Sequence, residues 1–441
     1  MMMWTMVFAS SCSVACGAEE PGTPPPDAKM VVAHYMVGVP MYGRRLQGFK
    51  KDMIDAHDQG IDAFQINIAE LSSRVRETIQ VFYQAASECD FDFYLFLSLD
   101  YNPKIKNPMR YDEISEYLKL YGNHPNTLKF AGRPIISSWL GTLWSDKGVE
   151  YWRAMKRRLK EEDDFDIFYI PYYGDYFVRR RGFSAATINK MLDEYDGVID
   201  GYWNWGGRLS PFPNSGRSIP EQSEVISQAL KSRGLPFMTP VLPAFWMTYK
   251  EPDVYAEHEG GRGLESQWLS VINNQEAQWV NLVTWNDMGE DSHWNPHPNP
   301  PNRHVWSHVG HAELNKHYIQ WWKSGRQPAI EKDKLFYFYR NQFHDALGRE
   351  RTFESVKKVA DLVYVTTMLT RPAKLTIHSG EKTTIHDVSA GIHHWQADLG
   401  QGIQRFILER DGVTILHRTG ELAVVENPEY KSWSVFSGCA Q

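Results

Sequence analysis

Short apolar runs alternate with amphipathic stretches along the chain from residue 31 to about residue 325. The runs are rich in β-branched and aromatic residues, which is typical of buried strands. They predict strands at 31–37, 63–68, 93–99, 134–138, 168–171, 198–202, 237–241 and 279–284. The stretches between them carry apolar residues at helical spacing and predict helices, among them 74–89, 111–121, 149–160 and 184–195.

Local start and stop signals support this division into strands and helices. Ser218-Ile-Pro-Glu221 has the capping-box pattern with an early proline, and Gly60 and Gly234 stand where helices should end. Eight alternations in about 300 residues predict an α/β fold, a (β/α)8 TIM barrel. A doubly wound open sheet is the alternative, but no glycine-rich phosphate loop follows the first run.

The pattern changes beyond about residue 331 to short alternating strands separated by Gly and Asp turns, such as Asp411-Gly412. They are predicted at 335–339, 362–367, 374–378, 405–409 and 413–416. We therefore predict two domains, a catalytic barrel at 30–330 and a C-terminal β-sandwich at 331–441. The sandwich could bind sugar or brace the barrel, and the sequence leaves both roles open.

The N-terminal residues 1–18 are apolar and rich in small residues, which predicts a signal peptide, and the proline-rich 19–29 predicts a linker. The protein is then secreted, periplasmic or on the cell surface. Cys16 follows Val14-Ala15 as in lipoproteins, but Ser13 stands where Leu is usual, so a lipid anchor at Cys16 is the less favoured alternative. No other stretch has 18 uninterrupted apolar residues, so we predict no membrane span.

Composition narrows the class of partner. Aromatic residues make up 13% of the chain, which suits either a site that stacks sugar rings or a core of large side chains. The net charge is −7 and Lys and Arg do not cluster, which argues against nucleic acid. We expect a polysaccharide or oligosaccharide substrate, no cofactor, and a monomer. Cys89 and Cys439 are too few for a disulfide scaffold, and the sequence does not say whether they pair.

A barrel carries its chemistry at the C-terminal ends of its strands, and polar and aromatic residues recur at those positions here. The candidate sugar-binding residues are His34, Tyr35, Asn67, Asp100, Tyr172, Trp203, Trp205, Trp246, Trp285 and His293. Core packing is the competing role for each aromatic residue among them. The last predicted strand leads to Asp287 and Glu290.

Asp287 and Glu290 are the candidate catalytic residues, because glycoside hydrolysis needs two carboxyls. One donates a proton to the leaving oxygen, and the other activates water or attacks the sugar. An i,i+3 step in extended chain spans up to about 10 Å, so the spacing permits either stereochemical outcome. The competing interpretation is that both are ordinary loop-capping acids.

Several segments resemble the successive strand motifs of glycoside hydrolase family 71, whose characterised members are mainly fungal α-1,3-glucanases, also called mutanases. They are Ala33-His-Tyr-Met-Val-Gly38, Gly60-Ile-Asp-Ala-Phe-Gln-Ile-Asn67, Phe96-Leu-Ser-Leu-Asp100, Asp200-Gly-Tyr-Trp203, Met238-Thr-Pro-Val241 and Thr284-Trp-Asn-Asp-Met-Gly-Glu290. The resemblance implies a (β/α)8 barrel followed by a β-sandwich, an inverting mechanism, and Asp287 and Glu290 as the catalytic pair.

The chain also departs from the family pattern. Ser138-Trp-Leu-Gly141 stands where a Phe-Glu-Gly-like segment is expected, Asp291 looks inserted, and 250–263 reads differently. Such changes alter subsites more readily than the central chemistry. We therefore predict a secreted α-1,3-glucan hydrolase. A hydrolase of another α-linked polysaccharide, such as α-mannan, is the first alternative, and a non-catalytic glycan-binding protein is the second.

We hypothesise that Glu290 is the general acid, kept protonated by a desolvated site, and that Asp287 is the base that activates water. The reverse assignment stays open. Asp100 is a third candidate, to orient the water or bind a hydroxyl, unless it caps the following loop. His34 and Tyr35 could bind the sugar where the bond breaks.

A run of histidines invites a metal interpretation, since two pairs have the i,i+4 spacing of zinc-binding helices. The histidines are His293, His297, His304, His308 and His311. Prolines forbid a helix over the first pair, and H-E-x-x-H is absent. We therefore predict no metal site.

Overall fold

The structure is a computed structural model that describes residues 28–104, 109–180, 182–213, 217–247, 253–274, 277–297, 305–347, 350–352, 359–429 and 432–441, with Gly22 and Pro24. The predicted signal peptide at 1–18 lies outside these residues, as does most of the predicted linker.

The strands and helices of residues 30–324 follow the predicted alternation closely. The strands are β1 (Met30–Met36), β2 (Ala63–Ile68), β3 (Tyr94–Asp100), β4 (Lys129–Phe130), β5 (Arg133–Trp139), β6 (Phe168–Tyr172), β7 (Tyr202–Trp203), β8 (Phe237–Val241), β9 (Phe245–Met247), β10 (Asp253–Ala256) and β11 (Trp279–Leu282). The helices are α1 (Leu46–His57), α2 (Ser73–Ser87), α3 (Tyr111–Tyr121), α4 (Gly148–Asp163), α5 (Gly174–Arg179), α6 (Ala185–Glu194), α7 (Ile219–Lys231), α8 (Gly261–Asn273) and α9 (Val309–Ser324).

Eight of these strands form one curled parallel sheet in the order β6-β5-β3-β2-β1-β11-β8-β7, with the short β4 antiparallel to β5. The order is what a chain of consecutive βα units produces, because each strand lies beside the one before it. Side chains alternate between the faces: Val31, Ala33 and Tyr35 pack with the helices, whereas Met30 and Val32 join the core on the inner face. The sheet therefore encloses a small apolar core on its inner face, and a larger apolar core lies between the sheet and the helices.

The prediction was accurate for elements with strong periodicity. The helix predicted at 111–121 is α3, and Ser218 caps α7 reciprocally with Glu221, as the sequence indicated. The strand predicted at 198–202 is reduced to the two residues of β7. The three-stranded sheet of β9, β10 and β13 (Glu350–Thr352) was not predicted.

The described residues beyond 331 form strands, as predicted, with one 3₁₀ turn at Asp345–Leu347 and with more strands than predicted. They are β12 (Lys334–Tyr339), β13, β14 (Leu362–Leu369), β15 (Ala373–Ser379), β16 (Lys382–Val388), β17 (Gly391–Asp398), β18 (Gln404–Arg410), β19 (Val413–Thr419) and β20 (Phe436–Ala440). Two antiparallel four-stranded sheets have the orders β17-β14-β12-β20 and β16-β15-β18-β19. Leu335 and Val363 of one sheet share a core with Leu375 and Phe406 of the other.

Two sequence-level expectations concern membranes and cysteines. Within the described ranges, no helix is both long and apolar enough to cross a membrane. Cys89 and Cys439 are both free thiols.

Candidate active site

A buried polar network lies inside the curled sheet, above its apolar core. Gln65 is its centre: its side-chain oxygen faces His34 Nδ1 at 3.0 Å and accepts from Asn281 Nδ2 at 2.9 Å, and its Nε2 donates to Ser137 Oγ at 2.7 Å. All four residues are fully or almost fully buried. Because buried polar groups need partners, the network fixes the side chains that support the ends of β1, β2, β5 and β11.

His34 is held as a neutral ring in this network. Burial lowers its pKa to about 4, with the Gln65 contact opposing the shift. Its ring stacks on Trp203 with centroids 5.3 Å apart and meets the edge of Trp205 at 5.2 Å. His34 therefore joins the polar interior to a group of aromatic side chains.

That aromatic group, which we call the aromatic platform, consists of Trp139, Tyr172 and Trp205 around Trp203. Trp139 lies 6.1 Å from Trp205 and 6.5 Å from Tyr172, and Tyr172 lies 5.5 Å from Trp203, all between ring centroids. Trp203 is fully buried, whereas the three platform residues are partly exposed. The strand register explains the arrangement, since Asp100 pairs with Trp139 and Trp139 with Tyr172.

Residues 284–290, after β11, carry the two predicted catalytic carboxyls, and we call this segment the catalytic loop. It is fastened to β1: the Trp285 amide donates to the His34 carbonyl at 2.7 Å. Asn286 accepts from the Met36 amide at 2.7 Å and donates to the carbonyls of Met36 and Val39 at 3.0 and 2.9 Å. These bonds place the loop at the same rim as His34.

Asp287 and Glu290 occupy the two ends of this loop's final turn. Asp287 precedes the 3₁₀ turn Met288–Glu290, and its amide donates to Thr284 Oγ1 at 2.7 Å. Burial raises the pKa of the Asp287 carboxyl to about 6, opposed by hydrogen bonds from the amides of Gly289 and Glu290. Glu290 is only 5% exposed. Two carboxyls in different surroundings can hold different protonation states, as acid/base catalysis requires.

Asp100 and Asn67 also lie at this rim. Burial raises the pKa of Asp100 to about 6, and its Oδ1 accepts from the Asn102 amide at 2.9 Å. That bond is the loop cap that the sequence offered as the alternative role. Asn67, 6% exposed, is the last residue but one of β2 and lies two residues beyond Gln65 on the same face.

Tyr35 and Trp285 do not reach this rim. Both are completely buried on the helix side, where the Tyr35 hydroxyl and Trp285 Nε1 donate to the two oxygens of Asp52 at 2.8 and 2.7 Å. Tyr35 follows His34 in β1, so strand alternation alone turns it away from the interior. The structure therefore places these two predicted sugar-binding residues in the core.

Trp246 and His293 are also buried. Trp246, in β9, packs with Tyr255 and Trp433. His293 is fully buried, and its ring stacks on His308 with centroids 3.8 Å apart. Of the predicted histidine pairs, His297 is exposed, and His304 lies outside the described residues.

The structure adds residues that the candidate set lacked. Trp139 belongs to the aromatic platform and ends β5, so the strand-end rule that selected Tyr172 would also have found it. Asp52 carries no such signal, because it lies on the amphipathic α1. Asp291, noted only as an insertion, accepts from Ser434 Oγ at 2.6 Å and the Val435 amide at 3.1 Å, which ties the catalytic loop to the segment that precedes β20.

Comparison with known proteins places these residues in context. The sequence profile described as Glycosyl hydrolase family 71 matches residues 27–440. A mutanase of Penicillium rubens is 27% identical over 93% of this chain and 88% of its own length. The glucan endo-1,3-alpha-glucosidase agn1 of Schizosaccharomyces pombe is 24% identical over 93% of this chain and 94% of its own length.

A solved structure shares the fold. The family 99 endo-alpha-mannosidase from Bacteroides thetaiotaomicron has a TM-score of 0.50 at 10% identity, covering 68% of this chain and 98% of that chain. At that identity the likeness is one of fold. The family profile, in contrast, matches nearly the whole chain, and the protein belongs to glycosyl hydrolase family 71.

Proposed function

We propose that this protein hydrolyses α-1,3-glucan with inversion, using Asp287 and Glu290 as the acid/base pair. The observation that carries the proposal is the placement of both carboxyls on a loop fastened to β1, beside a rim with partly exposed aromatic rings. Aromatic faces stack on sugar rings, and paired carboxyls protonate the leaving oxygen and activate water. The relatives named for activity on α-1,3-glucan support the choice of substrate.

Glu290 is the proton donor and Asp287 the base in this proposal. The amides of Gly289 and Glu290 point at the Asp287 carboxyl, and amide donors stabilise the charged form that a base needs. Glu290 is the more deeply buried of the two, and with Asp287 as the base it takes the part of the acid. Trp139, Tyr172 and Trp205 then hold the sugar rings, while the neutral His34 and Asn67 supply hydrogen bonds.

The finer description of the fold belongs to the same proposal. We infer a closed (β/α)8 barrel at 30–330, supported by a hydrogen bond from the Asp200 amide, just before β7, to the Tyr169 carbonyl of β6 at 2.9 Å. Such a bond joins the two edges of the eight-stranded parallel sheet. The paired sheets with one common core support a β-sandwich at 331–441.

Export is likewise inferred. A signal peptide at 1–18 and a proline-rich linker at 19–29 deliver the enzyme to the periplasm, the cell surface or the medium, where polysaccharide is found. Acylation of Cys16 is the alternative, and mass spectrometry of the mature N-terminus distinguishes a free end from a lipidated one.

The test is product analysis on a panel of polysaccharides. Purified wild type, Asp287→Asn and Glu290→Gln are incubated with α-1,3-glucan, other α-glucans and α-mannan, and the released sugars are followed by proton NMR from the first minutes. Asp398→Asn is the control, because Asp398 is an exposed acid in β17. We expect β-anomers from α-1,3-glucan with wild type and the control, and loss of at least about a thousandfold in rate with either site variant.

Each other outcome contradicts a definite part of the proposal. Initial α-anomers would mean retention and a nucleophilic carboxylate. Release from α-mannan alone would move the substrate to the first alternative. Binding without release from any polymer would favour a glycan-binding protein, and near-normal activity of Asp287→Asn would remove that residue from catalysis.

A further inference from the structure

Next to the catalytic loop, one carboxylate and two imidazoles meet in a fully buried cluster. Asp291 and His293 follow the loop directly, and His308 is the residue before α9. Ligand-type atoms of the three side chains all lie within 4.8 Å of one another, and each residue is 0% exposed. Spacing along the sequence did not indicate this group, because i,i+4 spacing pairs His293 with His297 and His308 with His304, not His293 with His308.

The backbone contacts fix which nitrogen of each ring is bare. His308 Nδ1 lies 2.8 Å from the His293 carbonyl, and His293 Nε2 lies 3.3 Å from the Trp306 carbonyl. A carbonyl only accepts, so both of these nitrogens carry the proton in the neutral rings. The lone pairs are therefore on His308 Nε2 and His293 Nδ1. Metal-binding histidines share this pattern, with the far nitrogen donating to a carbonyl or carboxylate.

A bound cation would give the lone pairs of His293 Nδ1 and His308 Nε2 a partner. Within the described part of the chain, His293 Nδ1 is buried with no hydrogen-bond partner. His308 Nε2 lies 3.4 Å from Asp291 Oδ1, so two electron-rich atoms face each other. A proton on His308 would pair with Asp291 but would leave His293 Nδ1 unsatisfied. A tetrahedral metal ion with bonds of about 2.0–2.1 Å holds its ligand atoms about 3.3 Å apart, close to the observed separation.

We propose that Asp291, His293 and His308 bind a divalent transition metal of the zinc type. Two imidazoles and one carboxylate are a ligand set that Zn²⁺ takes readily, with one position left for water. A further imidazole, His311, packs against His308 with 4.8 Å between the ring centroids and so forms part of the wall of the site.

The role of this ion is to join parts of the chain that are far apart in sequence. Asp291 and His293 belong to the segment that carries Asp287 and Glu290, and Asp291 also contacts Ser434 and Val435, which directly precede β20. An ion bound there would hold the catalytic loop against α9 and the sheets. The chemistry at the sugar does not pass through it.

The test measures metal in the full-length protein. Wild type is stripped with a chelator, titrated separately with Zn²⁺ and Co²⁺, freed of excess ion, and analysed by plasma mass spectrometry and visible absorption. We expect about one ion per chain, visible Co²⁺ bands of low-coordinate N/O geometry, and a melting temperature raised by about 2–4 °C by Zn²⁺. His293→Ala and His308→Ala should lose the bound ion and the Co²⁺ bands.

Two controls separate ligand loss from general damage. Ser434→Ala removes a hydrogen bond to the same carboxylate but keeps all three ligands, so it should still bind about one ion. His378→Ala removes an imidazole of β15, whose partner is Thr383, and should behave as wild type. If the ligand variants do not fold, the wild-type titration decides alone. Wild type that retains no Zn²⁺, shows no Co²⁺ bands and melts unchanged overturns the proposal and leaves a His308–Asp291 ion pair.

Discussion

The carboxyls of Asp287 and Asp52 both have raised pKa values, in different surroundings. The Asp287 carboxyl lies at the rim, where burial raises its pKa to about 6 while two amides still favour its anion. The Asp52 carboxyl lies on the helix side, where burial raises its pKa to about 7 despite hydrogen bonds from Trp285 and Tyr35. Asp287 is partly exposed at the rim, whereas Asp52 is enclosed by protein.

The pKa of Asp287 predicts the pH dependence of activity. If Asp287 is the base, it must be ionised, so kcat/KM should fall as the pH drops through about 6, by about tenfold per unit well below that value. Hydrolysis of soluble α-1,3-linked oligosaccharides from pH 4 to 8 measures this limb. Activity that is instead lost as the pH rises through about 6 would make Asp287 the proton donor and reverse the assignment.

Asp52 predicts a pH dependence of stability. Its folded pKa of about 7 lies above its ordinary value of 3.8, so the folded state holds a proton that the unfolded state releases. Stability is therefore greatest below pH 4 for this group and is lost as the pH rises towards 7, by an amount on the order of a few kcal/mol. Asp52→Asn should flatten the melting temperature between pH 4 and 7. An unchanged slope would show that Asp52 does not titrate in this range.

Trp139 tests the aromatic platform directly. Its ring is partly exposed between Tyr172 and Trp205, so Trp139→Ala should raise KM by about 2- to 10-fold with a smaller change in kcat. Initial-rate kinetics on oligosaccharides of increasing length measure the split. Trp395→Ala, a partly buried tryptophan of β17, is the matched control and should leave KM unchanged.

At the scale of elements, the catalytic loop depends on its attachment to β1. Asn286 alone makes three hydrogen bonds to the backbone of Met36 and Val39. Asn286→Ala removes all three, and a shift of about 1 Å in catalytic groups can cost about a hundredfold in rate. We therefore expect kcat to fall about 10- to 100-fold.

Asn286→Asp is a harsher comparison, since it keeps the acceptor for the Met36 amide but turns a buried carboxylate oxygen towards the carbonyls of Met36 and Val39. Its kcat should be no higher than that of Asn286→Ala. Equal kcat for all three proteins would mean that the loop holds its position without Asn286.

Periodicity predicted the elements well and the orientation of single side chains poorly. α3 and the cap of α7 carry their own signals, so they were found. β7 is only two residues long because most of the run before it does not pair, which composition cannot reveal. Tyr35 could have been excluded by alternation with His34 in β1. Trp285 could not, because irregular chain after β11 decides which way it points.

Contacts between distant segments were beyond the reach of the sequence. Asp291 appeared only as an inserted residue, and its partners Ser434 and Val435 lie more than a hundred positions away. His308 stacks on His293 because the chain, just before α9, returns to the segment that follows the catalytic loop. Local pattern describes neighbours along the chain, whereas this cluster forms where the residue before α9 meets the segment after residue 290.

At the scale of the whole molecule, a buried ion pair joins the segment after β10 to the segment after β12. Arg340 donates to the two oxygens of Glu257 at 3.1 and 3.4 Å, and both side chains are less than 5% exposed. Arg340 also donates to the Trp433 carbonyl and lies over the Tyr255 ring. With Asp291 anchored to the same region, the two parts of the chain should unfold together in one transition.

Removing one member of this pair should cost more than removing both. Burial raises the pKa of Glu257 to about 8, so its carboxylate is charged above that pH. Arg340→Met leaves this carboxylate buried without its cation and should lower the free energy of unfolding by about 3–5 kcal/mol at pH 9. Glu257→Gln with Arg340→Met removes the stranded charge, so part of that loss should return. The deficit of the single variant should also shrink as the pH falls from 9 to 6, because Glu257 is then protonated in both proteins.

Urea unfolding at pH 9 and pH 6, followed by tryptophan fluorescence and circular dichroism, measures both effects. Separate transitions in wild type, or a double variant less stable than Arg340→Met, would show that the ion pair does not brace the two parts.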